Sequence, residues 1–461
     1  MMKYISFGKL NPNYKYILFY TIFLTLYKIP AGYGFDGNKE LSTKFFKNGK
    51  FGSNYLIHEI FLYLVCIIVS CILILIEKKY IFKKKNENNE IKENNNNILE
   101  HRNENLSKGS INLIYTEYNE EKYSKNSILF IIFIEVLLEQ YNLIFGKFFT
   151  SINLWMIELY FTAYLCLKIF HIEIYKHHYL AFCIDFISMI LILFKVVLTI
   201  FEGNEEKALY VKYWWTILIA LILFFIYALF LSHIFVYLKK IFYEDFIQSS
   251  HLLLFYGIIG FFVTLCLCII FTFAPCGKKI ENIHEIKDYI CKVVNNENQT
   301  YIDNLKIYFK DNWENSDADT KRDEILINFF QTFSYSLFKY FTYKIIENLS
   351  PFFRIFSASI YYFFQRMIFF IINSNKIINN DNKYLKYKMY LEIISDILNI
   401  LTFLIYTEII ELNFCKFNYN LRKNITLRGI VDDSNQSDID NNSIINENED
   451  EENKEEENEK Y

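Results

Sequence analysis

Apolar residues along this chain gather into ten segments separated by polar stretches, at 14–35, 56–76, 127–144, 152–170, 179–201, 214–237, 251–275, 325–346, 351–373 and 391–411. An α-helix needs about 20 residues to cross roughly 30 Å of hydrocarbon, so each segment is read as one crossing. The long polar stretches 77–126 and 276–324 each follow the second segment of a group of five. That placement predicts an all-α polytopic membrane protein with ten transmembrane helices in a 5+5 inverted repeat. Five crossings per half turn the second half over relative to the first, and repeats of this kind bind their solute at the repeat interface near the midplane.

Composition agrees with lipid as the solvent. Hydrophobic residues make up 53% of the chain and aromatic residues 19%, more apolar bulk than a soluble domain covers with polar surface. The net charge of -4 conceals an asymmetry, because residues 432–461 hold 13 acidic residues against 2 lysines, a balance of -11 that leaves +7 elsewhere. A tail of that kind does not bury enough apolar surface to fold. Residues 412–461 are therefore expected to be a disordered acidic tail in the cytosol, with 1–13 as the cytosolic N-terminus.

Basic residues set the expected orientation. Lys78, Lys79, Lys83, Lys84 and Lys85 follow the second segment, Lys239 and Lys240 the sixth, and Arg422, Lys423 and Arg428 the tenth. These place both termini and the 77–126 loop in the cytosol, the Asn-rich part of that loop being read as disordered. Lys39, Lys44, Lys47 and Lys50, with Lys376, Lys383, Lys386 and Lys388, fall on the other side and oppose the assignment. The first segment has the look of a signal-peptide core, but Lys28, Ile29 and Pro30 make a poor cleavage site, and it is read as an uncleaved helix. The 276–324 stretch, with Cys276, Cys291 and the sequon Asn298-Gln299-Thr300, is expected to be a lumenal loop, open to an intraloop disulfide and to glycosylation at Asn298.

Ionisable residues inside membrane segments are costly and usually face a bundle interior. Glu135 and Glu139 stand one helical turn apart, which sets two carboxylates against each other unless a cation, a proton or a solute amine lies between them. Glu158 in the fourth segment, and Arg354 and Arg366 in the ninth, are the other candidates, an inward arginine being suited to holding an anionic group. Asp185 and Lys195 in the fifth segment are about 15 Å apart along a helix, so each is expected to find a partner elsewhere. His171, His177 and His178 with Asp185 do not form an ordered ligand spacing, and no metal or cofactor is expected. Phosphate-loop, G-x-S-x-G and H-E-x-x-H motifs are absent from the sequence, and the chain is not expected to be an enzyme or to bind nucleic acid.

The order and texture of the segments resemble the drug/metabolite transporter superfamily, in the branch near solute carrier family 35 and the chloroquine-resistance-type transporters. The residues carrying the resemblance are Tyr243-Glu244-Asp245-Phe246, the glycine pair Gly257 and Gly260, Ala274-Pro275-Cys276 with Cys291 beyond, Ser357-Ala358-Ser359 near Arg354, and LTFLIYTE at 401–408. The resemblance implies ten helices in an inverted repeat, cytosolic termini and alternating-access movement of an organic solute across an endomembrane of the Golgi, endoplasmic reticulum or vacuole/lysosome. It also implies a cavity lined by helices one to four and six to nine. On that basis Glu135, Glu139, Glu158, Arg354 and Arg366 rank above Asp185 and Lys195, with Glu135 or Glu139 taking a coupling proton. The cargo stays open among metabolites, nucleotide sugars, amino acids and drug-like molecules. Two other readings stand beside it, a multispanning enzyme of lipid or glycan transfer and a non-transporting membrane scaffold.

Overall fold

A computed structural model describes residues 5–7, 12–31, 55–99, 125–149, 156–171, 174–201, 215–244, 247–274, 291–294, 298–301, 305, 318–378 and 383–412. Among them are ten α-helices, one in each apolar segment: α1 Lys15–Ala31, α2 Tyr55–Leu99, α3 Lys125–Phe149, α4 Ile157–Phe170, α5 Lys176–Phe201, α6 Trp215–Glu244, α7 Ser249–Phe273, α8 Ala318–Asn348, α9 Pro351–Ile378 and α10 Lys383–Tyr406. The other regular elements among the described residues are a 3-10 helix, Pro12–Tyr14, and four short strands, β1 Ile5–Phe7 paired antiparallel with β4 Ile410–Leu412, and β2 Cys291–Val294 paired antiparallel with β3 Asn298–Tyr301.

Two expectations about the polar stretches change. The loop expected to begin at residue 77 is helical to Leu99, because α2 continues 23 residues beyond Ile76. Elongating a formed helix is far easier than nucleating one, and the lysines and glutamates of this stretch are good helix formers. In the 276–324 stretch, α8 begins at Ala318 and Asn298 opens β3 opposite Val294. Cys276, and with it the Cys276–Cys291 pair, lies outside the described residues, as do 1–4, 8–11 and 413–461.

The distribution of side chains is that of a body immersed in lipid. Leu18, Ile68, Phe130, Phe194, Phe262 and Phe273 are among many large apolar residues facing outward, while Glu135, Asp185, Lys339, Glu392 and Asp396 are buried. Water-soluble proteins do the reverse. By length and apolar composition α2, α5, α6, α7 and α10 each contain a stretch sufficient to cross a bilayer.

Packing registers show how the helices run. Ser188 meets Ser395 and Thr402 reaches the Ala181 carbonyl, so α5 and α10 are antiparallel. Gly257 lies against Ile67 and Ser250 bonds Glu77, so α2 and α7 are antiparallel as well. Cys66 with Ser336 and Glu77 with Tyr340 make α2 and α8 parallel. The pairs α5–α10, α2–α7 and α4–α9 pack together, as do α1–α8 with α3–α6, α1–α9 with α4–α6, and α2–α8 with α3–α7. Adding five to every helix number maps this set onto itself. Further contacts of α8 and α9 with α6, α7, α10 and each other lie outside the mapping.

One face of the body gathers alternate helix ends. Ser250 and Tyr340 meet Glu77, Ser249 meets Glu347, and Lys239 donates to the Glu347 carbonyl at 2.9 Å. The Tyr14 ring lies against Phe353, and that of Tyr406 against Phe352 and His178, each pair tilted. The starts of α1, α5, α7 and α9 therefore share a face with Glu77 of α2 and the ends of α6, α8 and α10, and the β1–β4 pairing lies at the same face.

The α2–α7 contact depends on glycine. A Cβ at Gly260 would stand 2.1 Å from Tyr63 Cε1, and one at Gly257 would stand 2.9 Å from Ile67 Cγ1. Tyr63 is fully buried with its hydroxyl accepting from Gln140 Nε2, so its ring has no free direction to yield. Gly260→Ala should destabilise the body by about 1–3 kcal/mol through overpacking. Thermal unfolding in detergent reads this, and Tyr63→Leu in the same chain should recover part of the loss; an unchanged unfolding temperature in Gly260→Ala would contradict the close contact.

Candidate functional site

The two glutamates of α3 meet a lysine of α8. Lys339 Nζ lies 2.7 Å from Glu135 Oε1 and also binds Glu139 Oε1. The cation that Glu135 and Glu139 require is thus supplied from across the bundle. Tyr343 donates to Glu135 Oε2 at 3.0 Å, Tyr335 donates to Glu139 Oε2 at 3.0 Å, and Tyr256 of α7 donates to the same oxygen. The ammonium stands 4.4 Å from the Tyr256 ring centroid and 5.8 Å from that of Tyr343, within cation–π range. Tyr335, Lys339 and Tyr343 recur every four residues on α8, which brings them to one face. Glu135 and Glu139 do the same on α3, and the register shows that the two helices run antiparallel.

This cluster carries two carboxylates and one ammonium, an excess of one negative charge. The carboxylates are not equivalent, since the Glu135 side chain is 1% exposed and that of Glu139 is 24% exposed. Glu139 is the one a solute can approach.

Arg354 of α9 and Glu158 of α4 form a second pair. Arg354 Nη1 contacts Glu158 Oε1 at 2.6 Å and Oε2 at 2.5 Å, and the guanidinium lies 4.4 Å over the Phe235 ring. The arginine read as a holder of anionic groups is engaged by a carboxylate of the chain itself. Ser232 of α6 donates to the Glu158 carbonyl at 3.1 Å, tying α6 into the junction.

Arg366 is placed away from both clusters. Its Nη1 lies 2.5 Å from Asp396 Oδ1 and its Nε 3.6 Å from Glu392 Oε2, while Lys195 binds Glu392 as well. Two cations and two carboxylates neutralise one another where α5, α9 and α10 meet. Lys195 thus finds the partner expected of it, whereas neither Asp185 carboxylate oxygen accepts a hydrogen bond. Among the described residues no group of three or more His, Cys, Asp or Glu is arranged to hold a metal ion.

Glu135 and Glu139 were among the five candidates legible in the sequence, whereas their partner Lys339 was not, nor were Tyr256, Tyr335 and Tyr343. The four-residue recurrence of Tyr335, Lys339 and Tyr343 was the available signal. No protein-family model matches the chain, and no curated protein matches it. The helices define an integral membrane protein.

Proposed function

We propose that the chain is a secondary transporter that moves a small organic solute by alternating access, with ten crossings arranged as a 5+5 inverted repeat. The observation that carries this reading is the set of helix pairs α5–α10, α2–α7, α4–α9, α1–α8 with α3–α6, α1–α9 with α4–α6 and α2–α8 with α3–α7, which returns to itself when every helix number is raised by five and in which α2–α7 and α5–α10 run in opposite senses. An inverted repeat has this signature, since each helix and its counterpart must enter the membrane from opposite sides. The order of segments resembling the drug/metabolite transporter superfamily points the same way. The basic residues after α2 and α6 put the shared face of helix ends, and both termini, in the cytosol, and an endomembrane is the proposed location.

The solute site is the Glu135–Glu139–Lys339 cluster, where α3 and α8, counterparts in the repeat, face each other. Its negative excess and its tyrosine rings suit a solute bearing an amine or another organic cation. Such a solute takes the place of Lys339 at Glu139, and the freed lysine keeps Glu135 company. The exchange replaces one ion pair by another, so it leaves no buried charge alone. α3 and α8 lie in opposite halves, so an exchange of partners between them is felt at the interface about which one half rocks against the other.

The test is uptake into liposomes containing the purified full-length chain, screened with radiolabelled amino acids, polyamines, nucleotide sugars and quaternary amines. Uptake of at least one amine-bearing solute is expected, and Glu139→Gln should lower it by about tenfold or more, the worth of a charge-assisted contact. Absence of uptake across all four classes would contradict the transporter reading. Uptake unaffected by Glu139→Gln would remove this cluster from solute binding.

A further inference from the structure

The seam between α5 and α10 holds two polar groups whose needs match. On α5, Ala181, Asp185 and Ser188 fall on one face at spacings of four and three, and on α10 so do Ser395, Asn399 and Thr402. Ser188 Oγ and Ser395 Oγ are 2.6 Å apart, and Thr402 Oγ1 donates to the Ala181 carbonyl at 3.4 Å. Those two contacts bracket a single level of the antiparallel pair, at which Asp185 and Asn399 stand. Asp185 is fully buried and Asn399 is 3% exposed. Both Asp185 carboxylate oxygens and Asn399 Oδ1 lack a hydrogen-bond donor.

The neighbouring hydroxyls are engaged with other acceptors. Tyr160 of α4 is within interaction range of Asp185, but its hydroxyl is aimed at the Phe182 carbonyl, to which it donates at 2.8 Å. The serine hydroxyls are spent on each other and on the backbone, and the threonine on Ala181. On the helices packed around the seam, the charged groups are engaged elsewhere. Lys195, Glu392, Arg366 and Asp396 neutralise one another toward one end, and His177 Nε2 stands 3.5 Å from Glu408 at the other. Lys195 is ten residues from Asp185, about 15 Å along the helix. An ionised carboxylate accepts and does not donate, and an amide oxygen only accepts. Two facing acceptors in an apolar seam are each left unsatisfied.

We propose that Asp185 is a proton-binding site, its carboxyl group holding a proton that it donates to Asn399 Oδ1. One proton removes the buried charge and gives Asn399 Oδ1 a donor, leaving one neutral carboxyl oxygen without a partner in place of a buried carboxylate. The proton enters and leaves when α5 and α10 part enough for water to reach the seam. The site stands on geometry alone; its use as the coupling site of transport rests on the transporter reading. Glu135 and Glu139, the residues first expected to take such a proton, are held by Lys339 and three tyrosines.

The experiment is infrared spectroscopy of the purified full-length chain in lipid at neutral pH, following the carbonyl stretch of protonated carboxyl groups. A band present in the wild type and missing in Asp185→Asn is expected, and Asn399→Ala should keep the band but shift it to the frequency of a weaker hydrogen bond. An amide is neutral and nearly the shape of a carboxylic acid, so Asp185→Asn should unfold at the wild-type temperature or above it. No difference band in Asp185→Asn, an unshifted band in Asn399→Ala, or loss of the band when sodium is added would each overturn the proposal, the last by giving the site to a metal cation. These readouts do not depend on transport. A protonated Asp185 in a chain that moves no solute leaves this site standing and removes the transporter reading, whereas an ionised Asp185 in a chain that does transport removes only the site.

Discussion

Lys339→Met should be the most destabilising single substitution in the bundle. It leaves Glu135 and Glu139 one turn apart, 1% and 24% exposed, with no cation between them. Removing one partner of a buried ion pair costs about 3–5 kcal/mol because the charge left behind is uncompensated. Here two carboxylates are left, so the loss belongs at the upper end of that range. The tyrosines soften it only partly: Tyr343, Tyr335 and Tyr256 each donate one proton to a carboxylate, and none brings a charge. Glu135→Gln placed in the Lys339→Met chain should restore stability, since it removes the more deeply buried charge and leaves Glu139 with its two tyrosine donors. Thermal unfolding of the purified protein in detergent measures both. A Lys339→Met chain as stable as the wild type, or a double variant less stable than the single, would contradict the pairing.

Arg354→Met should come next, at about 3–5 kcal/mol for the same reason, because Glu158 is 5% exposed and its carboxylate has the arginine as its ion-pair partner. The signature that separates charge from lost packing is the cycle with Glu158→Met. Replacing a buried pair by apolar residues of similar volume is often neutral, so the double variant should regain most of the loss and show a coupling of roughly 2 kcal/mol or more. The guanidinium also covers the Phe235 ring, and methionine keeps part of that contact. Additive effects of the two single substitutions would mean that the pair is not formed in the membrane.

Much of the architecture was legible in the pattern of apolar residues. Each of the ten segments contains one helix, because an apolar stretch of that length satisfies its own backbone hydrogen bonds only by coiling. The ends were less legible. α2 runs on to Leu99 through Lys, Glu and Asn, since a helix once begun continues through polar residues that have no apolar pattern to announce them. The glycine pair of α7 was legible as a pair but not its particular use, which is to let α2 approach at Tyr63 and Ile67.

The candidate site was half legible for a physical reason. A charged residue in an apolar segment advertises itself, so Glu135, Glu139, Glu158, Arg354 and Arg366 were all singled out. Their partners are set by which helix faces which, and one sequence does not state that. Lys339 is the neutralising charge that lets Glu135 and Glu139 sit between α3 and α8. Asp185 was ranked low because α5 was expected at the periphery. The structure keeps α5 paired with α10, and the carboxylate lies inside that pair, out of reach of the charged networks.

The central claim is that all ten helices cross the membrane in alternation, although only five of them contain a stretch apolar enough to be recognised as a crossing by composition. The most direct test places one cysteine in each of the nine links and at each terminus, in sealed vesicles from cells expressing the full-length chain, and reads labelling by a membrane-impermeant reagent. The account predicts strict alternation, with the links after α2, α4, α6 and α8 and both termini on one side, and the links after α1, α3, α5, α7 and α9 on the other. Two consecutive links labelled from the same side would break the 5+5 arrangement and take the transporter reading with it.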